Sequence, residues 1–100
     1  MERYNIKFTD QSLQDMDAIY TYIRRSLLEP ATASNLLDRI ETAVFSLEQL
    51  PYRCPIRTRG IYANQGYRQL FVENYTIVFR IDEERKHVVI VAVRYSHSRF

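Results

Sequence analysis

One hundred residues, 46% of them hydrophobic with only two glycines, are enough for one folded domain with a modest core and exclude a disordered or low-complexity chain. The net charge is only +2 but is unevenly spread: residues 1–50 hold five basic and eight acidic side chains, residues 51–100 nine basic and four acidic. No apolar run is long enough to span a bilayer, the N-terminus lacks the apolar stretch of a signal peptide, and the single Cys54 cannot form an internal disulfide. We therefore expect one cytoplasmic domain over residues 1–100, with no membrane partner.

Tyr4-Asn5-Ile6-Lys7-Phe8 alternates apolar and polar residues and predicts a short strand that joins the sheet. Thr9 or Asp10 then caps a helix. Leu13, Met16, Tyr20, Ile23 and Leu27 recur at helical spacing as one apolar stripe, with Gln14, Asp15, Arg24 and Arg25 opposite. Leu28-Glu29-Pro30 breaks this helix and starts the next, with proline at a tolerated first-turn position. Ala33, Leu36, Leu37, Ile40, Val44, Leu47 and Leu50 form the second stripe, and Pro51 ends it. Helices joined so briefly must run antiparallel and pack on each other and on the sheet.

Residues 51–66 read as a loop that carries Arg53, Arg57 and Arg59 with Tyr52 and Tyr62 interleaved. Connections of this length in small domains are usually functional or mobile. Arginine forks match phosphate and carboxylate geometry, and bases stack on aromatic rings, so the loop is a candidate nucleic-acid contact. The plain alternative is a solvated loop whose tyrosines cover a sheet edge. Three runs rich in β-branched and aromatic residues follow and predict an antiparallel meander. A tight connection at residues 72–75 and a solvated tip at residues 82–87 separate them.

In the middle run Tyr75, Ile77, Phe79 and Ile81 point one way, and Thr76, Val78 and Arg80 the other. In the last run Val89, Val91, Val93 and Tyr95 share a face, with Val88, Ile90, Ala92 and Arg94 opposite. The purely apolar sets are expected to face the core, which leaves Arg80 and Arg94 on a partly apolar, cationic face. The first run sets Arg68, Leu70 and Val72 against Tyr67, Gln69 and Phe71, and this pattern leaves open which set is buried.

There is no glycine-rich phosphate loop, no nucleophile elbow and no Cys/His metal set, so neither a metal nor another cofactor is expected. His87 sits at a hairpin tip and reads as a plain surface residue. His97 follows the last strand, flanked by Arg94, Tyr95, Arg99 and Phe100. Imidazole can exchange a proton near neutrality, whereas arginine stays charged and can only stabilise negative charge. His97 is thus a candidate acid or base beside anion holders, although a lone histidine near a chain end is more often solvated and idle.

The ordered set of elements resembles the RelE/ParE superfamily of bacterial toxins, which implies an α+β fold in the order β-α-α-β-β-β. The phrases that carry the resemblance are Tyr4-Asn5-Ile6-Lys7-Phe8-Thr9, Asp17-Ala18-Ile19-Tyr20-Thr21-Tyr22-Ile23, Pro30-Ala31-Thr32-Ala33, Leu47-Glu48-Gln49-Leu50-Pro51, Gly66-Tyr67-Arg68-Gln69-Leu70 and residues 74–82 and 89–95. The resemblance implies the toxin of a type II toxin–antitoxin pair, with a cognate antitoxin protein as partner. In the RelE-like branch the target is messenger RNA on the ribosome, cut without a metal. In the ParE-like branch it is DNA gyrase, which is blocked without nuclease chemistry.

For the first branch, family position implies catalytic roles for Arg68, Arg94, His97 and Tyr95, with 2′-hydroxyl attack on the adjacent phosphate. Arg53, Arg57, Arg59, Tyr67, Arg80, Arg99 and Phe100 would contact RNA. The paired loop lysines of RelE and the glutamate base of the YoeB-like members have no counterpart here, and the opening and middle phrases are at least as ParE-like. The first expectation is a ribosome-dependent mRNA endonuclease, and the alternative a gyrase inhibitor.

Overall fold

The computed structural model describes residues 2–26 and 30–100, apart from the side chains of Pro30 and Ala33. The elements run β1 (Asn5–Phe8), α1 (Asp10–Ser26), α2 (Pro30–Ser46), β2 (Arg68–Val72), β3 (Tyr75–Asp82) and β4 (His87–Tyr95). Single 3₁₀ turns at Pro51–Arg53 and Gly60–Tyr62 punctuate the long connection. The predicted break at Leu28-Glu29, with Leu27 before it, lies outside the described residues.

The four strands form one sheet in the order β1-β4-β3-β2. β1 runs parallel to β4, and the other pairs are antiparallel. The α+β architecture expected from the sequence is the one observed. The 51–66 connection is less of a loop than its sequence suggests. Ile56 bridges to Arg68, the Arg57 N–H donates to the Tyr67 carbonyl and the Gln69 N–H to that of Pro55. It therefore lies along the outer edge of β2 and covers a strand that would otherwise be unpaired.

Thr9 caps α1, its hydroxyl oxygen accepting from the Ser12 N–H at 3.1 Å. The buried side of α1 is Ser12, Asp15, Ile19 and Ile23, one position round from the expected stripe. Leu13 and Tyr20 are consequently exposed. Asp15, expected on the solvent side, is buried because β1 stops opposite Ile90 while β4 continues to Tyr95. That leaves main-chain groups of β4 without a strand partner, and the Asp15 carboxylate accepts from the Val93 N–H at 3.1 Å. α2 ends at Ser46, four residues before the expected Leu50. Leu50 takes φ 52° and is exposed, whereas Leu47 is fully buried.

Both faces of the sheet are apolar. On the helix face, Ile19, Ile23, Ile40, Val44 and Leu47 pack on Ile77, Phe79, Val88, Ile90 and Val93. The expected β4 set is corrected here. Val78 pairs with Ala92 but Phe79 with Ile90, so Val91 is an extra residue in β4, a β-bulge. Before it, Val88 and Ile90 face the helices; after it, Val93 does. Val89, Val91 and Ala92 join Val78 in a second cluster on the opposite face.

Candidate functional site

The open face is closed by the chain's own last residues. Beyond β4, the Ser98 N–H and hydroxyl both donate to the Tyr95 carbonyl and turn the chain back. Phe100 is thereby packed into the second apolar cluster against Val78, Val89, Val91 and Ala92, with Tyr62 and Tyr67 beside it. Arg57 holds this tail in place. Its guanidinium lies 4.2 Å from the Phe100 ring centroid and donates to the Phe100 main-chain oxygen at 3.2 Å and to Gln69 Oε1 at 2.9 Å. Gly60 makes the approach possible. It takes φ +73°, and a Cβ there would fall 1.7 Å from the Phe100 oxygen, so both backbone and space require glycine.

Arg57 is only 8% exposed, and its Nε has no hydrogen-bond partner among the described residues. Burial, and then the nearby Arg59 charge, push its pKa down. Beside it opens a concavity of about 670 Å³ lined by Arg57, Arg59, His97 and Arg99, the hydroxyls of Thr76, Ser96 and Ser98, and Gln69, Phe71 and Phe100. Ser96 and Thr76 share a hydroxyl–hydroxyl hydrogen bond of 2.8 Å. Among the described residues, no Asp or Glu side chain lines it.

Only part of the expected site gathers here. Arg57, Arg59, His97, Arg99 and Phe100 meet around this concavity, and Tyr67 packs nearby at 5.2 Å from Tyr62. Arg68 does not join them. It pairs with Phe79, so its side chain belongs to the helix face. There it donates to the Cys54 carbonyl at 2.6 Å and lies 5.1 Å from the Tyr52 ring centroid. Arg94 pairs with Thr76 and starts from the open face. Its Nε donates to the buried Asp15 carboxylate at 2.9 Å, and its guanidinium lies 5.9 Å from the Phe100 ring.

Tyr95 lies opposite Tyr75, and its ring is 5.2 Å from that of His97. Arg53 donates to the Gln49 and Leu50 carbonyls and to Ser46 Oγ, closing the end of α2. Arg80 is exposed, one pair before the bulge. Among the described residues, no group of three or more His, Cys, Asp or Glu side chains could hold a metal ion.

Two features escaped sequence reasoning. One is Asp15, whose helical position gave no hint of a partner in β4. The other is a polar cluster at the β3–β4 tip. Glu83 Oε2 accepts from the Tyr4 hydroxyl at 2.8 Å and the Tyr52 hydroxyl at 2.7 Å, and Lys86 pairs with the same carboxylate and with Glu2 at 3.0 Å. Lys86, then Tyr52 and Tyr4, hold the Glu83 carboxyl down at about 2, while the Glu83 contact pushes Tyr4 up to about 12. Residues separated by 79 and 31 positions share this carboxylate, which no local pattern could reveal.

A helical hairpin on a four-stranded mixed sheet is an α+β fold like that of the RelE/ParE toxins. Residues 6–100 match the model of a family described as the ParE toxin of the type II toxin–antitoxin system parDE, and the chain belongs to that family. No curated protein sequence matches it significantly. Among solved structures, it is similar to a chain of the chromosomal ParDE system from P. aeruginosa (TM-score 0.72, 24% identity), covering 95% of this chain and 98% of that one. It is also similar to a chain of the toxin–antitoxin complex RelBE2 from Mycobacterium tuberculosis (TM-score 0.63, 25% identity, 95% and 93% covered). A third is from the intact E. coli RelBE complex, whose likeness is one of fold (TM-score 0.62, 13% identity, 95% and 99% covered). The chain is thus the toxin component of a type II toxin–antitoxin system. No helix among the described residues is long and apolar enough to cross a membrane.

Proposed function

We propose that this toxin arrests growth by binding DNA gyrase, without cutting RNA, and that a cognate antitoxin protein neutralises it. The observation that carries the reading is the dispersal of the residues a nuclease would need together. Arg68 is engaged by the Cys54 carbonyl on the helix face, and Arg94 is tied to Asp15. A metal-free cleavage needs a proton acceptor and fixed cations around one phosphate, held within a fraction of an ångström. The match to the ParE family supports the same branch. The mRNA-cleaving reading draws on the one group that does gather, His97 with Arg57, Arg59 and Arg99.

The experiment pairs two assays on one preparation. Purified chain added to gyrase and relaxed plasmid should abolish negative supercoiling, while primer extension after induction should show intact messages. A-site breaks with unaffected gyrase would overturn the proposal. His97→Gln sharpens it. Loss of a general acid or base costs roughly 100- to 10,000-fold in rate, so a nuclease using His97 would lose toxicity. A gyrase-binding toxin should arrest growth undiminished in this variant. The partner is tested by co-purification with the product of the adjacent reading frame.

A further inference from the structure

β1 ends opposite Ile90 while β4 runs on to Tyr95, so past that point α1 lies over β4 with no strand beside it. Asp15, Ala18, Ile19 and Tyr22 share one face of α1 through their three- and four-residue spacing. Between that face and Tyr75, Val93, Arg94 and Tyr95 lies a pocket of about 420 Å³. The Tyr4 and Tyr52 hydroxyls elsewhere donate to Glu83, but those of Tyr22, Tyr75 and Tyr95 have no partner among the described residues. Tyr75 is only 7% exposed, and a buried hydroxyl calls for a partner. Burial, then Tyr22 and Tyr95, push its pKa up, so it stays a neutral donor.

Arg94 spends its Nε on Asp15 at 2.9 Å, and its two terminal nitrogens have no partner among the described residues. Asp15 is engaged at both oxygens. Oδ1 accepts from Gln11 Nε2 at 2.9 Å, and Oδ2 from the Val93 N–H and Arg94. The pocket thus offers aromatic and aliphatic walls, a set of unused donors, and no unengaged carboxylate among the described residues.

We propose that this pocket binds a small free aromatic carboxylate, with its ring among the three tyrosines and its carboxylate on the terminal nitrogens of Arg94. A flat ring suits walls of this kind, since aromatic pairs favour edge contacts, and Tyr75 and Tyr95 already meet that way at 6.0 Å. An amine would meet the Arg94 charge with no unengaged Asp15 oxygen to receive it. A peptide strand cannot form a continuous ladder on this edge, because Asp15 holds the Val93 N–H and Ser98 the Tyr95 carbonyl. The pocket shares no lining residue with the concavity beyond β4. The proposal therefore goes beyond the gyrase reading and does not rest on it.

The test is amide NMR titration of the purified chain, without gyrase, using phenylpropionate, phenylpropionamide and propionate. The second probe keeps the ring without the charge, and the third the charge without the ring. Phenylpropionate should shift the Ala18, Ile19 and Val93 amides along one saturable curve, and losing either half should weaken binding about tenfold or more. Tyr22 is 65% exposed, so Tyr22→Ala should keep the fold and weaken binding about threefold or more. Tyr20→Ala, also on α1 but outside the pocket, should leave it unchanged. Arg94→Lys keeps a charge beside Asp15 but not the guanidinium fork, and should narrow the preference for acid over amide. If that variant does not fold, Tyr75→Phe, which removes only a hydroxyl, should narrow the same preference.

Four results would overturn the proposal. They are equal binding of acid and amide, shifts centred on Asp38 and Glu41 of α2 instead, equal losses in Tyr20→Ala and Tyr22→Ala, and no saturation by about 10 mM, since a fragment of this size at ordinary ligand efficiency binds in the millimolar range. Failure here leaves the supercoiling result standing, and failure there leaves this one.

Discussion

The two faces of the sheet are both apolar but are closed in different ways. The helix face is sealed by two helices, and Ile77, Phe79, Val88 and Ile90 there are fully excluded from solvent. The opposite face is sealed by a five-residue tail ending in one phenylalanine, with two tyrosines at its side. Arg57 lies against that phenylalanine at 4.2 Å, and Arg94 approaches the same ring. Under thick coverage a charged group persists only where it has a partner, as Asp15 has in Arg94 and the Val93 amide and Arg68 in the Cys54 carbonyl. Thin coverage lets guanidiniums lie over an aromatic ring and reach solvent at its margin. Burial of large apolar side chains therefore concentrates on the helix face, and the candidate site lies on the other.

The largest expected effect tests the sealed face. Phe79→Ala removes a fully buried ring and should cost about 3–5 kcal/mol in urea-induced unfolding. A loss near 1 kcal/mol would mean the helix face is no better packed than the open one.

The open face should respond less and more locally. Phe100→Ala should cost about 2 kcal/mol, because the tail packs on one side only. Gly60→Ala should cost a similar amount, since its Cβ would collide with the Phe100 oxygen. Both changes release the same tail, so the double variant should fall well short of the sum. Full additivity in a double-mutant cycle would show that Gly60 and Phe100 do not act on one contact.

Between the faces, Asp15→Asn weakens the tie from α1 to β4. Asp15 is buried and Arg94 only partly so, which places the cost at about 1–3 kcal/mol. Hydrogen exchange at the Val93 amide is the direct readout, since its acceptor is the Asp15 carboxylate. Unchanged Val93 protection would remove the carboxylate from its role as cap of the β4 edge.

The smallest effect is one of pH. Glu83 is held at about 2 in the fold against an ordinary 4.5, so it contributes stability above pH 4.5 that is lost as pH falls through 2. Tyr4, raised from 10.0 to about 12, contributes stability below pH 10 that is lost as pH rises through 12. The melting-temperature gap between wild type and Glu83→Gln should therefore be steady between these windows and close on both flanks. A gap independent of pH would assign the cluster to packing alone.

Much of this was legible from residue order. The β3 alternation placed Ile77 and Phe79 correctly, because that strand carries no irregularity of its own. The α2 positions Ile40, Val44 and Leu47 were likewise found in the core. The β4 alternation misled, because the extra residue at Val91 swaps the faces of everything before it. On α1 the apolar spacing pointed to Leu13 and Tyr20, but the β4 edge required a carboxylate, and Asp15 took the inward position instead. The site was half legible. Arginines could be named as anion holders and His97 as an acid or base, but not which of them share a concavity.

By itself, the sequence determined the order of elements, the toxin class and the cationic character of the second half. The first and last depend on periodicity and residue type, which each segment carries locally, and the toxin class followed from the resemblance of the ordered set to the RelE/ParE superfamily. Only the tertiary structure decided that Arg68 faces away from Arg94, that Asp15 caps a strand remote in sequence, and that Phe100 returns to lie under Arg57. Each of these depends on strand register and on contacts between distant segments, where a shift of one residue turns a side chain to the other face.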